Sequence, residues 1–139
     1  MRIYLIATLF LAASLNSYAA SSDSVTTNNI MVVHTEELKR WYDTGKQMTI
    51  VDARTEENYD NITLPKAIWL PADAPTSLIQ STLPIKDQLI VVYCWSLACP
   101  ASGKLTSRLK QAGYTKVYEY SEGLEDWMQN GYPTVTQSD

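Results

Sequence analysis

Two side chains in this 139-residue sequence stand out as reactive sulfur, Cys94 and Cys99, and they are its only cysteines. Four residues separate them, a C-x4-C spacing. A thiolate is both a nucleophile and a metal ligand. The sequence has one histidine, His34, and two thiols plus one imidazole fall short of a tetrahedral structural zinc site unless carboxylates join. No metal and no cofactor is expected. No Ser-His-Asp triad or carboxylate pair stands out. What remains is the chemistry of a sulfur nucleophile, alone or with a second thiol. Cys99 reads two ways. It is a resolving thiol that attacks an oxidised Cys94 and leaves a disulfide, or a small apolar residue filling space at a helix start.

The elements that must position these thiols follow from hydrophobic period and punctuation. Leu89 to Tyr93 is a continuous apolar run of the kind buried on both faces of a sheet, and Cys94 follows it directly. Pro100 suits the first position of a helix that runs to Ala112. Ala101, Leu105, Leu109 and Ala112 give that helix one apolar stripe, and Gly113 stops it. Cys94 thus sits between a buried strand and a helix start. There, loop N–H groups and the positive end of the helix dipole favour the thiolate. Thiols in such settings have pKa values of about 3.5–7.5, against about 8.5 when free. The competing reading is an inert core cysteine that ends a strand.

The rest of the chain alternates in the same way. Strands are predicted at Met31–Val33, Met48–Val51, Ala67–Leu70 and Lys116–Tyr120. Thr35 can cap a helix that opens with Glu36 and Glu37, buries Leu38, Trp41 and Tyr42, and stops at Gly45. Shorter helical pieces are predicted at Thr55–Tyr59, Thr76–Leu83 and Leu124–Gln129. Strands alternating with helices imply an α/β fold: a mostly parallel five-stranded sheet with helices on both faces. Ligands of such sheets bind at the carboxyl ends of strands, where Cys94 lies. Asp52 and Arg54 read as structural, an end-of-strand cap and an ion pair with Glu56 or Glu57. His34 reads as a surface or strand-end residue.

The first 20 residues carry Arg2, an apolar run from Ile3 to Leu15, and small residues at Ser17 and Ala19. That order is a cleavable secretory signal peptide, and the run is shorter than the roughly 20 residues that span a bilayer. Residues 21–29 are expected to be a disordered lead-in, and the folded domain to cover 30–135. The expected location is the periplasm or the exterior, where a disulfide is permitted. No stable membrane association is expected after cleavage. The formal net charge is −4, with no Lys/Arg cluster, which disfavours nucleic-acid and anionic-membrane binding.

Several segments, in order, carry a family resemblance. Val51-Asp52-Ala53-Arg54 with Glu56 to Tyr59 resembles the first rhodanese signature. Thr63 to Pro71 occupies the place of that family's His-Ile-Pro-Gly-Ala segment. Ile90 to Cys94 is similar to the strand that leads to its catalytic cysteine. Leu109 to Tyr114, Gly123 to Trp127 and Gly131-Tyr132-Pro133 resemble its closing pieces. The resemblance implies a rhodanese-like sulfurtransferase. Cys94 would be the catalytic thiol and accept a sulfane sulfur as a persulfide. Trp95, Ser96, Leu97, Ala98 and Cys99 would form the substrate-binding loop. The partners would be a small sulfur donor and a thiol or other nucleophilic acceptor.

The departures from the family pattern set further expectations. The loop holds no Lys, Arg or Gly, so an anionic donor would rely on backbone dipoles, Ser96 and Ser102, and thiosulfate should be a poor donor. Lys66 replaces the usual Gly after Pro65, and Glu122 replaces one Gly of a late Gly-Gly pair. Related C-x5-R phosphatases need an Arg where this chain has Pro100, which disfavours phosphatase chemistry. Three readings stay open: a sulfurtransferase on Cys94, a thiol–disulfide redox protein on Cys94 and Cys99, and a non-catalytic rhodanese-like binding module.

Overall fold

The structure is a computed structural model that describes residues 30–138. The signal peptide and lead-in expected at 1–29 lie outside the described residues. Five short strands make one parallel sheet: β1 (Met31–Val32), β2 (Thr49–Asp52), β4 (Ala67–Trp69), β5 (Leu89–Tyr93) and β6 (Lys116–Tyr120), in the spatial order β1-β6-β5-β2-β4. The apolar run of β5 is central, paired with β2 on one side and β6 on the other.

Alternation along the strands divides the core into two layers. Val51, Ile90 and Val92 face α2 (Thr76–Thr82) and α3 (Ala101–Gln111), whose Ile79, Leu105 and Leu109 are buried against them. Ile50, Val91 and Tyr93 face α1 (Thr35–Asp43) and α4 (Gly123–Gln129), which supply Leu38, Trp41, Leu124 and Trp127. Helices therefore cover both faces, as the βαβ reading requires.

Details differ from the sequence reading where a local signal competed with tertiary packing. Thr35 does not cap its helix. It is buried, and its hydroxyl instead bonds Asp126 of α4 and pairs with Tyr120 Oη at 2.8 Å. Pro100 precedes the first residue of α3, one position earlier than expected. A second, antiparallel sheet went unforeseen: β3 (Ile62–Thr63) pairs with β7 (Val135–Thr136). Val135, the expected end of the folded unit, is the first residue of β7, and Gln137 ties that segment to the carbonyl of Ala67 at 2.7 Å. Lys66, at the family's Gly position, holds a φ of +60°, in the left-handed region where Gly is unstrained.

Candidate active site

β5 carries the chain to Cys94, whose side chain is buried at the carboxyl end of the central strand. The loop then turns at once, with the Cys99 N–H donating to the Ser96 carbonyl at 2.9 Å, and enters α3. The turn brings Cys99 back over Cys94. The two are joined as a disulfide, with Cα atoms 6.2 Å apart. Cys99 is half-buried and packs on the same core layer as Cys94.

The loop is held from outside by α4. Leu124 N–H donates to the Cys94 carbonyl at 3.0 Å, and Glu125 N–H to the Trp95 carbonyl at 2.8 Å. The first turn of a helix has N–H groups without intrahelical partners, and here two loop carbonyls satisfy them. The approach requires Gly123: a Cβ there would lie 2.5 Å from the Cys94 oxygen and 2.6 Å from the Trp95 oxygen, and its φ is +74°. Among the described residues, the N–H groups of Trp95, Ser96, Leu97 and Ala98 donate to no backbone carbonyl. A loop whose carbonyls are engaged by α4 and whose amides are uncommitted is suited to stabilise negative charge on a sulfur.

Below the loop, a buried polar network fixes the end of β2. The Arg54 guanidinium is fully buried. It bonds Asp52 at 2.8 Å through Nη2 and Asp60 at 2.9 Å through Nη1, and reaches the Ile62 carbonyl at 2.6 Å. Tyr93, the residue before Cys94, donates its hydroxyl to Asp52 at 2.9 Å. The Leu64 N–H donates to that hydroxyl at 3.2 Å. Burial works against the Arg54 charge, but Asp52 and then Asp60 outweigh it, and its pKa is raised. Burial, with the charge of Asp52, pushes the Tyr93 phenol far up, so it stays a donor. Arg54 forms the expected ion pairing, but its acidic partners are Asp52 and Asp60, not Glu56 or Glu57. Those two carboxylates stand at the start of a single 3-10 turn, Glu56–Asn58.

An open pocket of about 750 Å³ covers the disulfide. Cys94, Trp95, Ser96, Ala98 and Cys99 line it, together with Arg54, Thr55, Asn58, Asp60 and Lys104. Leu97 lies outside it. That side chain is 75% exposed and borders a smaller depression with Glu122, Glu125 and Asp126. Ser102 is not a pocket donor, because its buried hydroxyl is bonded to Glu119 at 2.8 Å. The sequence reading missed Lys104. Lys104 stands in the first turn of α3, past the loop itself, and lines the pocket. A spacing of one helical turn from Pro100 was the available signal. His34 is 71% exposed, as expected, and contacts Glu122 at 2.5 Å. Its pKa is raised, first by the hydrogen bond to Glu122 and then by that carboxylate's charge.

Comparison with known proteins supports the same identification. The family model of the rhodanese-like domain matches residues 34–130. No curated protein matches the sequence. Among solved structures, a Bacillus halodurans protein is 25% identical with a TM-score of 0.68, covering 76% of each chain. The solution structure of a rhodanese-like domain from Anabaena sp. is also 25% identical, with a TM-score of 0.63, covering 76% of this chain and 79% of that one. An E. coli rhodanese with anions is 29% identical with a TM-score of 0.53, covering 65% of this chain and 99% of its own. A thiosulfate sulfurtransferase from Pseudomonas aeruginosa shares the fold at 22% identity and a TM-score of 0.66, and this chain spans only 21% of it. With Cys94 at the end of the central strand under a helix-braced loop, and the match running from His34 to Asn130, the chain belongs to the rhodanese-like domain family.

Proposed function

We propose that this domain is an exported sulfurtransferase that carries sulfane sulfur as a persulfide on Cys94. One observation carries the reading: Cys94 directly follows the central strand on the wall of the pocket, at the start of a loop whose Cys94 and Trp95 carbonyls are bound by α4. In the reduced protein the Cys94 thiolate attacks the terminal sulfur of a donor. The donor's S–S bond breaks, the donor leaves as a thiolate or sulfite, and a Cys94–S–S⁻ group forms. The uncommitted amides of the loop and the N-terminus of α3 stabilise that anion. A nucleophilic acceptor then attacks the outer sulfur, and Cys94 leaves as a thiolate. Export belongs to the same proposal, supported by the order of Arg2, Ile3–Leu15 and Ser17–Ala19 and by a thiol pair suited to an oxidising compartment.

The test is sulfur transfer from a low-molecular-weight persulfide to a thiol acceptor, measured on reduced protein. Wild type turns over and Cys94→Ser, still folded, does not. Equal turnover by the two would remove the proposal. A purely thiol–disulfide function is favoured by the Cys94–Cys99 bond. It would show dithiol oxidation with no sulfur turnover.

A further inference from the structure

We infer that Cys99 is the first acceptor of the reaction: it attacks the Cys94 persulfide, expels the sulfur as hydrosulfide and closes the Cys94–Cys99 disulfide. The domain would then be a sulfane-sulfur reductase that consumes a dithiol, rather than a carrier that hands sulfur on. This rests on the persulfide reading above.

Three observations carry it. The Cys94–Cys99 bond closes with the backbone as it stands, at a Cα separation of 6.2 Å, inside the window of about 4.4–6.8 Å that disulfides occupy. The Cys99 sulfur therefore reaches the inner sulfur of a Cys94 persulfide without refolding of the loop. Second, the two thiols share one pocket but differ in access: Cys94 is 1% exposed, whereas Cys99 is half-buried. An acceptor from solution meets Cys99 more readily than the inner sulfur of Cys94. Third, the Cys99 N–H to Ser96 carbonyl bond at 2.9 Å fixes the turn that sets Cys99 over its partner. An intramolecular thiol held in this way competes at high effective concentration with any thiol in solution.

The balance is complete. The Cys94 thiolate attacks the outer sulfur of the donor R–S–S⁻. R–S⁻ leaves, and the persulfide forms. The Cys99 thiol gives its proton to the outer sulfur, the resulting Cys99 thiolate attacks the Cys94 Sγ, the S–S bond of the persulfide breaks, and HS⁻ leaves with the electron pair. Hydrosulfide is a less basic leaving group than an alkyl thiolate, which favours this direction. A dithiol reductant then attacks the more accessible Cys99 sulfur. Cys94 departs as the thiolate its loop stabilises, and the second thiol of the reductant releases Cys99 as its own disulfide forms. The net reaction takes one sulfane sulfur and one dithiol to one hydrogen sulfide and one disulfide.

The experiment is a single turnover without added thiol. Reduced wild type and Cys99→Ser are loaded with a low-molecular-weight persulfide, desalted, and followed by intact mass and by a sulfide assay. Wild type is expected to release one equivalent of sulfide and to end as the disulfide, two hydrogens lighter than the reduced protein. Cys99→Ser is expected to keep its sulfur adduct at least about tenfold longer. Cys99→Ala, checked for folding by circular dichroism, is expected to behave like the serine variant. Equal sulfide release by wild type and both variants overturns the role of Cys99 and leaves the persulfide reading standing. A stable adduct on wild type with a free Cys99 thiol does the same. No adduct and no sulfide from any of the three proteins overturns both.

Discussion

The carbonyl oxygen of Cys94 is bound by the backbone N–H of Leu124 at 3.0 Å, so the reactive loop and the start of α4 form one unit. The contact spans 30 residues of chain and depends on Gly123, whose position leaves no room for a side chain.

Gly123→Ala tests that unit. The added Cβ meets backbone oxygens at 2.5 and 2.6 Å, at a φ that L residues rarely adopt. Overpacking together with left-handed strain should cost about 2–4 kcal/mol. Urea unfolding of the reduced protein should show that loss, and sulfur uptake on Cys94 should fall with it. A stability within about 0.5 kcal/mol of wild type would mean the loop is not braced in this way.

The buried Arg54 gives a second test. Its guanidinium is enclosed between Asp52 and Asp60. Arg54→Met removes the cation and leaves Asp52 buried beside Tyr93 without its counter-charge. A loss of about 3–5 kcal/mol is expected in denaturant unfolding. A neutral result would show that Asp52 finds another partner or a proton.

How far these features could be read from the sequence depends on the residue. The run from Leu89 to Tyr93 declared a buried strand because every position is apolar or aromatic, and it placed Cys94 correctly at the carboxyl end of the central strand. The pairing of β3 with β7 left no signal, since a two-residue strand has no period to detect. The partners of Arg54 were misassigned because helical proximity suggested Glu56 and Glu57. The chain instead doubles back through Asn61, at a φ of +65°, and presents Asp60. Lys104 was overlooked because the cation was sought inside the loop, while one turn of α3 delivers it to the same pocket.

Lys104 bears on donor choice. Within the loop from Trp95 to Cys99 there is no cation, so thiosulfate kcat/KM should stay below about 10⁴ M⁻¹s⁻¹. Lys104 is exposed on the pocket wall, and an exposed charge is worth about 0.5–1 kcal/mol to a bound anion. Lys104→Ala should therefore raise KM for thiosulfate about two- to fivefold with kcat little changed. An unchanged KM would place the donor away from α3.

The pair of His34 and Glu122 makes a pH prediction. The pKa of His34 is raised in the folded protein, so protonation favours the fold. The stabilisation is fully present below the unfolded value of about 6.5 and is lost as pH rises through the higher folded value. His34 is largely exposed, so solvent keeps the effect small. The difference in urea midpoint between wild type and His34→Ala should shrink as pH rises above about 6.5. A difference that grows with pH would contradict the pairing.

The sharpest measurement is the intact mass of fully reduced Cys99→Ala protein after incubation with a low-molecular-weight persulfide, with the Cys94→Ser, Cys99→Ala double variant beside it. Removing Cys99 leaves one thiol, so any adduct is located without peptide mapping. A gain of one sulfur atom on the single variant and none on the double variant is the predicted result. No gain on either protein, or an equal gain on both, would contradict a persulfide on Cys94.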